Sequence, residues 1–237
     1  VIGVVVGCHC SKKEAIKVMI KSMKDNINTW IFDLDNTLYD VGTDLFAKVS
    51  RRMTVFIQNA FQLDEAAAKH LQKEMFLKYG TTMRGLMVEH DMDPEEFLHF
   101  VHDIDVSDLE PDPVLEKLLG GLQGRRLIFT NGSVPHAQRV TKQLGIDHLF
   151  EGIFDIVAAK FVPKPDPTIY ELMVNKYRVD TQTSVMIDDM AKNLIPAANL
   201  GISTVWLRHD KEWSAKDFSA EHIDEEIDDL KSWLATV

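Results

Sequence analysis

The chain has little cysteine, little positive charge and no long apolar run. Its 237 residues include two cysteines, Cys8 and Cys10, so a disulfide framework is excluded for the body of the fold. That usage indicates a reducing, cytoplasmic setting. No apolar run reaches the length of a membrane span, which argues against a membrane protein. The 26 basic and 37 acidic residues leave a net charge of −11, which argues against a nucleic-acid polymer as partner.

The remaining composition is that of a globular enzyme-sized chain, with 45% hydrophobic and 27% charged residues and no internal repeat. Residues 1–28 are predicted to be a poorly ordered N-terminal extension. Ser11 to Lys24 could form a basic helix within it. Cys8-His9-Cys10 lacks the spacing of a metal site, because its three candidate ligands are adjacent. We therefore expect the folded domain to start after this extension.

The segment Thr29–Tyr39, T-W-I-F-D-L-D-N-T-L-Y, combines a buried strand with two carboxylates. Trp30–Phe32 has the β-propensity of a strand, and Asp33 and Asp35 follow where it should end. Ligands of open parallel sheets bind beyond this end. Two adjacent carboxylates cost free energy unless a cation or proton compensates them. This favours a catalytic pair; the alternative is an acidic turn at the strand end.

Residues 40–112 carry helical periodicity and no clear strand. Apolar residues recur at three- and four-residue steps from Phe46 to Ala60, and a second helix is predicted over 64–79, with Leu71, Met75 and Leu77 buried. Two shorter helices follow before the proline-rich segment at 109–113. We interpret 40–112 as an all-helical insertion that is hinged at both ends.

The pattern from residue 113 to the end is α/β. Strands are predicted over 125–130, 154–157, 184–187 and 204–207, with helices between them and a terminal amphipathic helix over 223–234. Together with the first strand, this alternation predicts a doubly wound, Rossmann-like parallel sheet built from 29–39 and 113–237.

Polar residues follow three of the predicted strands, and a lysine lies between Pro163 and Pro165. The set consists of Asp33 and Asp35, Thr130 and Asn131, Asp188 and Asp189, and Lys164. Parallel strands bring their carboxyl ends to one edge, so these side chains can converge. Four carboxylates there require a hard cation, and Mg²⁺ with oxygen ligands fits. Taken singly, Asp188-Asp189 could be a helix N-cap and Lys164 a solvated loop residue.

These elements, taken together, resemble the signature of the haloacid dehalogenase superfamily. D-L-D-N-T at 33–37, F-T-N at 129–131, Lys164 and I-D-D-M-A-K-N at 187–193 resemble its four motifs, and the helical insertion resembles its small cap domain. The likeness covers Trp30 to about Leu207. Within that superfamily, the pyrimidine 5′-nucleotidase branch is most similar in three segments: Y-G-T-T-M-R-G-L at 79–86, T-N-G-S at 130–133 and P-K-P-D-P at 163–167.

The resemblance implies a phosphoryl-transfer role for each motif residue. Asp33 would attack phosphorus and form an aspartyl phosphate. Asp35 would protonate the leaving alkoxide and later accept a proton from water, and we expect its pKa to be raised by burial and nearby carboxylates, against the pull of Mg²⁺. Lys164 would neutralise charge on phosphate and nucleophile. Thr130 and the backbone near Asn131 and Gly132 would hold the phosphoryl oxygens.

The resemblance also implies the metal ligands. Mg²⁺ would be bound by Asp33, the backbone carbonyl of Asp35 and Asp189, with Asp188 beside them. Asn193 stands where many relatives carry an aspartate, so we expect it to support the loop.

The predicted function is Mg²⁺-dependent hydrolysis of a small phosphate ester, with a pyrimidine nucleoside 5′-monophosphate as favoured substrate. Phosphoglycolate, a sugar phosphate or a flavin nucleotide are alternatives, as are a phosphomutase and a phosphate-responsive regulator. Hydrolytic dehalogenases lack the second aspartate of the first motif, so Asp35 argues against that chemistry. Substrate choice is expected from Thr81, Thr82 and Arg84 in the insertion, unless Gly80 and Gly85 merely separate two helices.

Overall fold

The computed structural model describes residues 26–210, 214–215 and 219–237. Three predictions lie outside these residues: the order of the N-terminal extension up to residue 25, the basic helix over 11–24, and the environment of Cys8 and Cys10. The description begins just before the first strand, where Asn28 N–H donates to the Thr183 carbonyl at 2.7 Å.

A six-stranded parallel sheet forms the centre of the described chain, in the order β3-β2-β1-β4-β5-β6. The strands are β1 (Thr29–Phe32), β2 (Arg125–Phe129), β3 (Gly152–Phe154), β4 (Ser184–Asp188), β5 (Ser203–Leu207) and β6 (Glu225–Ile227). The predicted doubly wound parallel fold is therefore confirmed. The first strand lies near the middle, so the side chains that follow it reach the centre of the sheet edge.

Nine α-helices lie within the described residues. They are α1 (Leu45–Phe61), α2 (Glu65–Tyr79), α3 (Thr82–His90), α4 (Pro94–His102), α5 (Pro113–Gly121), α6 (Val134–Leu144), α7 (Pro167–Tyr177), α8 (Ala191–Asn199) and α9 (Leu230–Leu234). The first four follow one another between β1 and β2. In this part of the chain, no helix combines the length and the apolarity needed to cross a membrane.

Local sequence explains where several helices begin. The carboxylates of Asp64, Asp112 and Asp166 accept hydrogen bonds from the first-turn N–H groups of α2, α5 and α7, which satisfies donors that have no partner inside the helix. Proline occupies the first helical position of α5 and α7, where a missing N–H costs nothing.

The apolar side chains form three clusters. Trp30 and Phe32 of β1 pack on one face of the sheet, and Ile31 packs on the other, because successive side chains of a strand point to opposite faces. The third cluster belongs mainly to α1–α4, where Phe56 and Phe97 meet edge to face with ring centroids 5.1 Å apart. The insertion therefore has its own apolar core.

Three local predictions are wrong. The strand predicted over 154–157 lies at Gly152–Phe154, and the helix predicted over 223–234 is interrupted by β6, because Ile227 pairs with Leu207 and continues the sheet. Leu77 is 51% exposed, whereas Met75 is fully buried. Two residues correspond to about 200° around a helix, so Leu77 lies opposite the face that packs.

Candidate active site

The carboxylate of Asp33 lies at the end of β1, where the predicted cluster forms. Its N–H still donates to the Ile187 carbonyl at 2.9 Å, so the residue is held by the sheet. The side chain is buried. Burial raises the pKa of Asp33 well above its usual range; Lys164 opposes this shift, and Asp188 and Asp189 reinforce it. The site thus contains a carboxylate whose charge is poorly compensated by the protein alone.

Lys164 is enclosed by three acceptors. The residue is 1% exposed, and its Nζ donates to Asp33 Oδ1 at 2.9 Å, Asp188 Oδ2 at 2.7 Å and the Phe129 carbonyl at 2.9 Å. An ammonium has three donors, so all are used. Burial lowers its pKa, but Asp188 and Asp33 outweigh burial and the pKa is raised. Lys164 is therefore a fixed cation between two strand ends, and not a solvated loop residue.

The loop that carries Lys164 is bound to the loop after β2. Asn131 Oδ1 accepts a hydrogen bond from Lys164 N–H at 2.8 Å, and Asn131 Nδ2 donates to the Lys164 carbonyl at 3.4 Å. Gly132 N–H donates to Thr130 Oγ1 at 2.9 Å. The Asn131 side chain thus positions the lysine, while Thr130, Asn131 and Gly132 all line the cavity described below.

Asp188 ends β4 with both carboxylate oxygens occupied. Oδ2 accepts from Lys164, and Oδ1 accepts from Met190 N–H and Asn193 Nδ2, each at 2.9 Å. The N-cap alternative is wrong, because the N-cap of α8 is Met190 and no side chain caps this helix. Asn193 supports the loop through this bond, and its buried Oδ1 accepts nothing from the described residues.

Asp189 is buried beside these groups. Its Oδ2 accepts from His209 Nε2 at 3.2 Å, and its carbonyl accepts from the Trp206 indole at 3.1 Å. Burial raises the pKa of Asp189 well above its usual range, and Asp188 reinforces the shift. Within the described residues, Asp33, Asp188 and Asp189 place ligand oxygens within 4.8 Å of one another.

This carboxylate cluster fits a divalent cation. Three buried aspartates face one lysine, and the pKa values of Asp33 and Asp189 are both raised. An additional positive charge would stabilise the ionised forms. All the donors are oxygens, which is the donor set of Mg²⁺ and not that of a softer metal. The site could therefore hold a metal ion.

The carboxylate of Asp35 is bound on one oxygen by two donors. The Tyr39 hydroxyl donates to Oδ1 at 2.5 Å, and His136 Nε2 donates to the same atom at 3.0 Å. Burial raises the pKa of Asp35, but His136 and the Tyr39 hydrogen bond outweigh burial, so the pKa is lowered. The expectation of a raised pKa is wrong, because it took no account of these two partners.

His136 and His102 are site residues that sequence reasoning missed. His136 is fully buried on α6, and its ring stacks on that of His102, with centroids 4.4 Å apart and planes 11° from parallel. His102 Nδ1 lies 2.9 Å from Ser133 Oγ. Burial lowers the pKa of His102 to about 3. The available signal was a histidine three residues after T-N-G-S, in the first turn of the helix that follows.

A cavity of about 490 Å³ opens above the cluster, between the strand ends and α1–α4. Its floor includes Asp33, Asp35, Lys164 and Asp189. By area the lining is mainly apolar, and the helices supply Phe46, Val49, Met53, Phe76, Phe97 and Val101 to it. The same helices also bring Arg51, Lys69 and Lys73 to the cavity. A leaving group bound here would be enclosed by apolar side chains while its phosphoryl group reached the polar floor.

Of the three predicted substrate contacts in the insertion, Thr81 and Thr82 line the cavity and Arg84 does not. Thr81 Oγ1 accepts from Arg84 N–H at 3.1 Å, which caps α3, and Thr82 Oγ1 donates to the Gln72 carbonyl at 3.1 Å. Gly85 allows close helix packing, since a Cβ built there would lie 2.6 Å from Met75 Cβ. This glycine thus serves the contact between α2 and α3.

Comparisons with known proteins agree with this geometry. A family model described as a haloacid dehalogenase-like hydrolase matches residues 27–201. The chain is 29% identical to phosphate metabolism protein 8 of Saccharomyces cerevisiae over 192 residues, which cover 74% of this chain and 60% of that protein. It therefore spans less than two thirds of the yeast protein.

Two further matches extend over most of both chains. A glyceraldehyde 3-phosphate phosphatase of Pyrococcus abyssi is 28% identical over 228 residues, covering 89% of this chain and 94% of that protein. Among solved structures, a predicted phosphoglycolate phosphatase from Haemophilus somnus superposes with a TM-score of 0.57 at 18% identity, covering 89% and 98%. The second likeness concerns the fold.

Proposed function

The chain belongs to the haloacid dehalogenase-like hydrolases, and from this membership and the geometry of its site we propose an Mg²⁺-dependent phosphomonoesterase that acts through an aspartyl phosphate. A phosphatase-type hydrolase is the coarser conclusion that family and relatives support directly. The metal, the intermediate and the substrate named below are the proposed part.

One observation carries the proposal. Lys164 bridges Asp33 and Asp188 at adjacent strand ends, Asp189 lies beside them, and Asp35 faces the same cavity. A phosphoryl group placed on this floor would meet a nucleophile and a fixed cation, with a second carboxylate within reach. Such preorganised charges stabilise the charge that develops on transferring oxygens.

In the first half-reaction, a carboxylate oxygen of Asp33 forms a bond to phosphorus as the bond to the leaving oxygen breaks. Asp35 donates its proton to that leaving alkoxide. Because the pKa of Asp35 is lowered in the free protein, it must take up this proton when the substrate binds. The negative charge of a phosphate dianion favours that uptake.

In the second half-reaction, water attacks phosphorus and the bond to Asp33 breaks. Asp35, now ionised, accepts a proton from the water, and Asp33 is released as a carboxylate. Because the pKa of Asp35 is lowered in the free protein, Asp35 gives this proton to solvent when phosphate leaves. Lys164 stays charged throughout and neutralises the Asp33 carboxylate that is released. The fixed lysine thus keeps the nucleophile in place between turnovers.

Asp33 and Asp189 are the carboxylates that would hold Mg²⁺, with Asp188 adjoining; the contribution of the Asp35 carbonyl remains a prediction. When bound, the ion would neutralise phosphoryl oxygens by Lewis acidity. The chain's own residues already orient its ligands, because His209 donates to Asp189, and Met190 and Asn193 donate to Asp188.

A pyrimidine nucleoside 5′-monophosphate is the proposed substrate. The cavity of about 490 Å³ has the size of typical small-molecule sites. Phe46, Phe76 and Phe97 offer aromatic surface for a base. The hydroxyl groups of Thr81 and Thr82 are the polar groups that α3 brings to this wall.

A smaller ester, such as a triose or sugar phosphate, is the second candidate. It is favoured by the relatives from Pyrococcus and Methanothermobacter, which are named as glyceraldehyde 3-phosphate phosphatases. The apolar lining argues for the nucleotide, since a triose would leave much of the cavity wall in contact with water.

Phosphate release with Mg²⁺ tests these alternatives. Uridine and cytidine monophosphates, glyceraldehyde 3-phosphate, phosphoglycolate and p-nitrophenyl phosphate are compared by kcat/KM. We expect the pyrimidine monophosphates to exceed the triose at least tenfold. The reverse order would replace the substrate assignment. Halide release from 2-chloropropionate without phosphatase activity would overturn the phosphomonoesterase itself.

Metal dependence is tested on the same substrate. Excess EDTA should abolish phosphate release, and added Mg²⁺ should restore it. Asp189→Asn should raise the Mg²⁺ concentration for half-maximal activity at least tenfold, because one carboxylate of the cluster is lost. Full activity in EDTA would contradict the proposed metal.

A further inference from the structure

His136 is a buried histidine that the proposed mechanism does not use, although it contacts the proton-transferring carboxylate. It is fully buried, and its Nε2 lies 3.0 Å from Asp35 Oδ1. The hydrogen must be on Nε2, because the acceptor is a carboxylate oxygen. The opposite ring atom, Nδ1, is buried without a hydrogen-bond partner among the described residues. Asp35 is therefore the one hydrogen-bond partner that the described residues offer this ring.

The two oxygens of Asp35 have different surroundings. Oδ1 accepts from both Tyr39 and His136. Oδ2 lies towards Gly132, where a Cβ built on that glycine would be 3.6 Å away. Gly132 and Asp35 both line the cavity, so Oδ2 lies beside a residue of the cavity lining. The two donors fix the carboxylate by one oxygen and leave the other available for proton exchange.

We propose that His136 is a positioning residue, which holds Asp35 through Oδ1 so that Oδ2 exchanges protons, and that the stacked ring of His102 holds His136 in place. The proposal rests on the proposed function, because it assigns Asp35 to proton transfer. His136 does not line the cavity, whereas Asp35 does, so His136 acts through Asp35.

The contacts of His102 connect this arrangement to the helical insertion. His102 is the last residue of α4 and lines the cavity. Its ring lies against His136, its Nδ1 meets Ser133 Oγ, and its carbonyl accepts a hydrogen bond from Arg139. Ser133 is the N-cap of α6, and His136 and Arg139 lie in its first and second turns. The orientation of Asp35 therefore depends on how the end of α4 is seated against α6.

The test uses His136→Leu, which fills the space without a donor, and His136→Gln, whose amide can donate near the position of Nε2. We expect kcat for uridine monophosphate to fall 10- to 100-fold in the leucine variant, the scale of a misplaced catalytic group. The glutamine variant should recover at least half of that loss on a logarithmic scale. KM should change less than threefold in both.

Pre-steady-state kinetics with p-nitrophenyl phosphate give a readout that a merely structural role would not move. p-Nitrophenolate leaves without a proton, so formation of the aspartyl phosphate should be spared. Attack of water still needs Asp35 as base. His136→Leu should therefore show a burst of one p-nitrophenolate per active site followed by slow turnover. The burst could instead be smaller while the steady-state rate per active site is unchanged. That result would mean that part of the enzyme is not folded, and it would overturn the proposal.

The double variant tests the role of His102. If His102 acts through His136, His102→Ala should lower kcat in the wild-type background but cause less than a twofold further loss in His136→Leu. Independent, multiplicative losses would refute the link. Thr141→Val is the matched control, since Thr141 is buried on the same helix and its hydroxyl donates to α6 carbonyls; it should keep kcat within about twofold.

The outcomes separate this inference from the proposed function. If wild-type protein releases no phosphate, or if Asp33→Asn retains turnover, the proposed function fails. If wild-type protein is an Asp33-dependent phosphatase and His136→Leu keeps kcat within twofold, only the positioning role fails. Should the leucine variant not fold, Tyr39→Phe removes the other donor to Oδ1 and should give the same burst; unchanged kinetics there would count against the proposal.

Discussion

The polar cluster at the strand ends (Asp33, Lys164, Asp188 and Asp189) and the cavity wall formed by α1–α4 differ in how their side chains are held in place. In the cluster, Lys164 has three acceptors and Asp188 has three donors, all at 2.7–2.9 Å. The wall is mainly apolar, and Phe46, one of its residues, is 39% exposed. Directional hydrogen bonds define one arrangement, whereas apolar contacts accept several. This difference supports the proposal that the chemistry belongs to the first region and substrate choice to the second.

Asp33→Asn makes the largest test of this division. An amide cannot replace the attacking carboxylate, so kcat should fall roughly 10⁴-fold or more for every phosphate ester. A loss that is equal for nucleotide and p-nitrophenyl phosphate is required, because the cluster sees only the phosphoryl group. Asp40→Asn, in the exposed part of the same loop, is the control and should stay within about twofold.

Lys164→Met tests whether the cluster is also structural. Its removal leaves Asp33 and Asp188 buried without their cation, and the free energy of unfolding should fall by about 3–5 kcal/mol. Urea denaturation measures this loss. Lys231→Met removes a more exposed ion pair, with Asp112, and should cost at most about 1 kcal/mol. Similar losses in both variants would show that the buried ion pairs of Lys164 with Asp33 and Asp188 stabilise the fold no more than an exposed pair does.

Phe76→Ala addresses the wall. Phe76 is partly buried, lines the cavity and lies 5.4 Å from Lys192 Nζ by its ring centroid. The loss of an aromatic contact should lower kcat/KM for the pyrimidine monophosphate about tenfold and leave p-nitrophenyl phosphate nearly unchanged. Leu77→Ala, exposed on the same helix, is the control. An equal loss on both substrates would assign Phe76 to the chemistry instead.

His102 lies where the two regions meet, and its pKa predicts an effect of acid. Burial lowers the folded-state pKa to about 3 from 6.5. Below pH 6.5 the unfolded chain binds a proton that the folded chain does not, so stability falls as the pH falls. At pH 5 the contribution is about 2 kcal/mol. His102→Gln should reduce the difference between the unfolding free energies at pH 7 and pH 5 by that amount.

An unchanged difference in His102→Gln would mean that the ring is protonated or exposed in the folded protein. His70, 83% exposed on α2, provides the matched control, and His70→Gln should leave the pH dependence as in the wild type. The comparison between the two variants removes the contributions of the many carboxylates that titrate in the same range.

The sequence predicts the cluster well because strand ends in a parallel sheet must meet. Asp33 and Asp189 could be brought together from topology, before any distance was known, whereas Lys164, in a loop beyond β3, was placed with them by its flanking prolines and by the family resemblance. β6 was missed since an edge strand of three residues, Glu225–Ile227, has too few positions to show a period of two. The helix signal that favoured 223–234 came from the residues on both sides of it.

The sequence could not reveal the partners of Asp35. Tyr39 is four residues from Asp35, but His136 is 101 residues away and His102 belongs to another helix. Such contacts depend on how α4 seats against α6, and helix periodicity carries no information about that docking. The expectation for the pKa of Asp35 failed for this reason.

Arg84→Ala is expected to change kcat/KM least, and it tests which residues of α3 belong to the cavity wall. Sequence alone suggested that Arg84 contacts the substrate, yet it does not line the cavity, while its neighbours Thr82 and Met83 do. Successive helical positions differ by about 100°, and Gly85 packs α3 closely against Met75. The rotation of α3 is thereby set, and Arg84 points away from the cavity side. We expect kcat/KM within about twofold of wild type for both the nucleotide and p-nitrophenyl phosphate.

Thr82→Val is the informative partner of that variant. It keeps the shape of a cavity-lining residue and removes the hydroxyl that donates to the Gln72 carbonyl. If Thr82→Val lowers kcat/KM for the nucleotide several-fold while Arg84→Ala does not, the specificity wall ends at the first turn of α3. A loss of kcat/KM for the nucleotide alone in Arg84→Ala would instead require α3 to rotate when substrate binds. The apolar wall would then move on binding, unlike the hydrogen-bonded cluster beneath it.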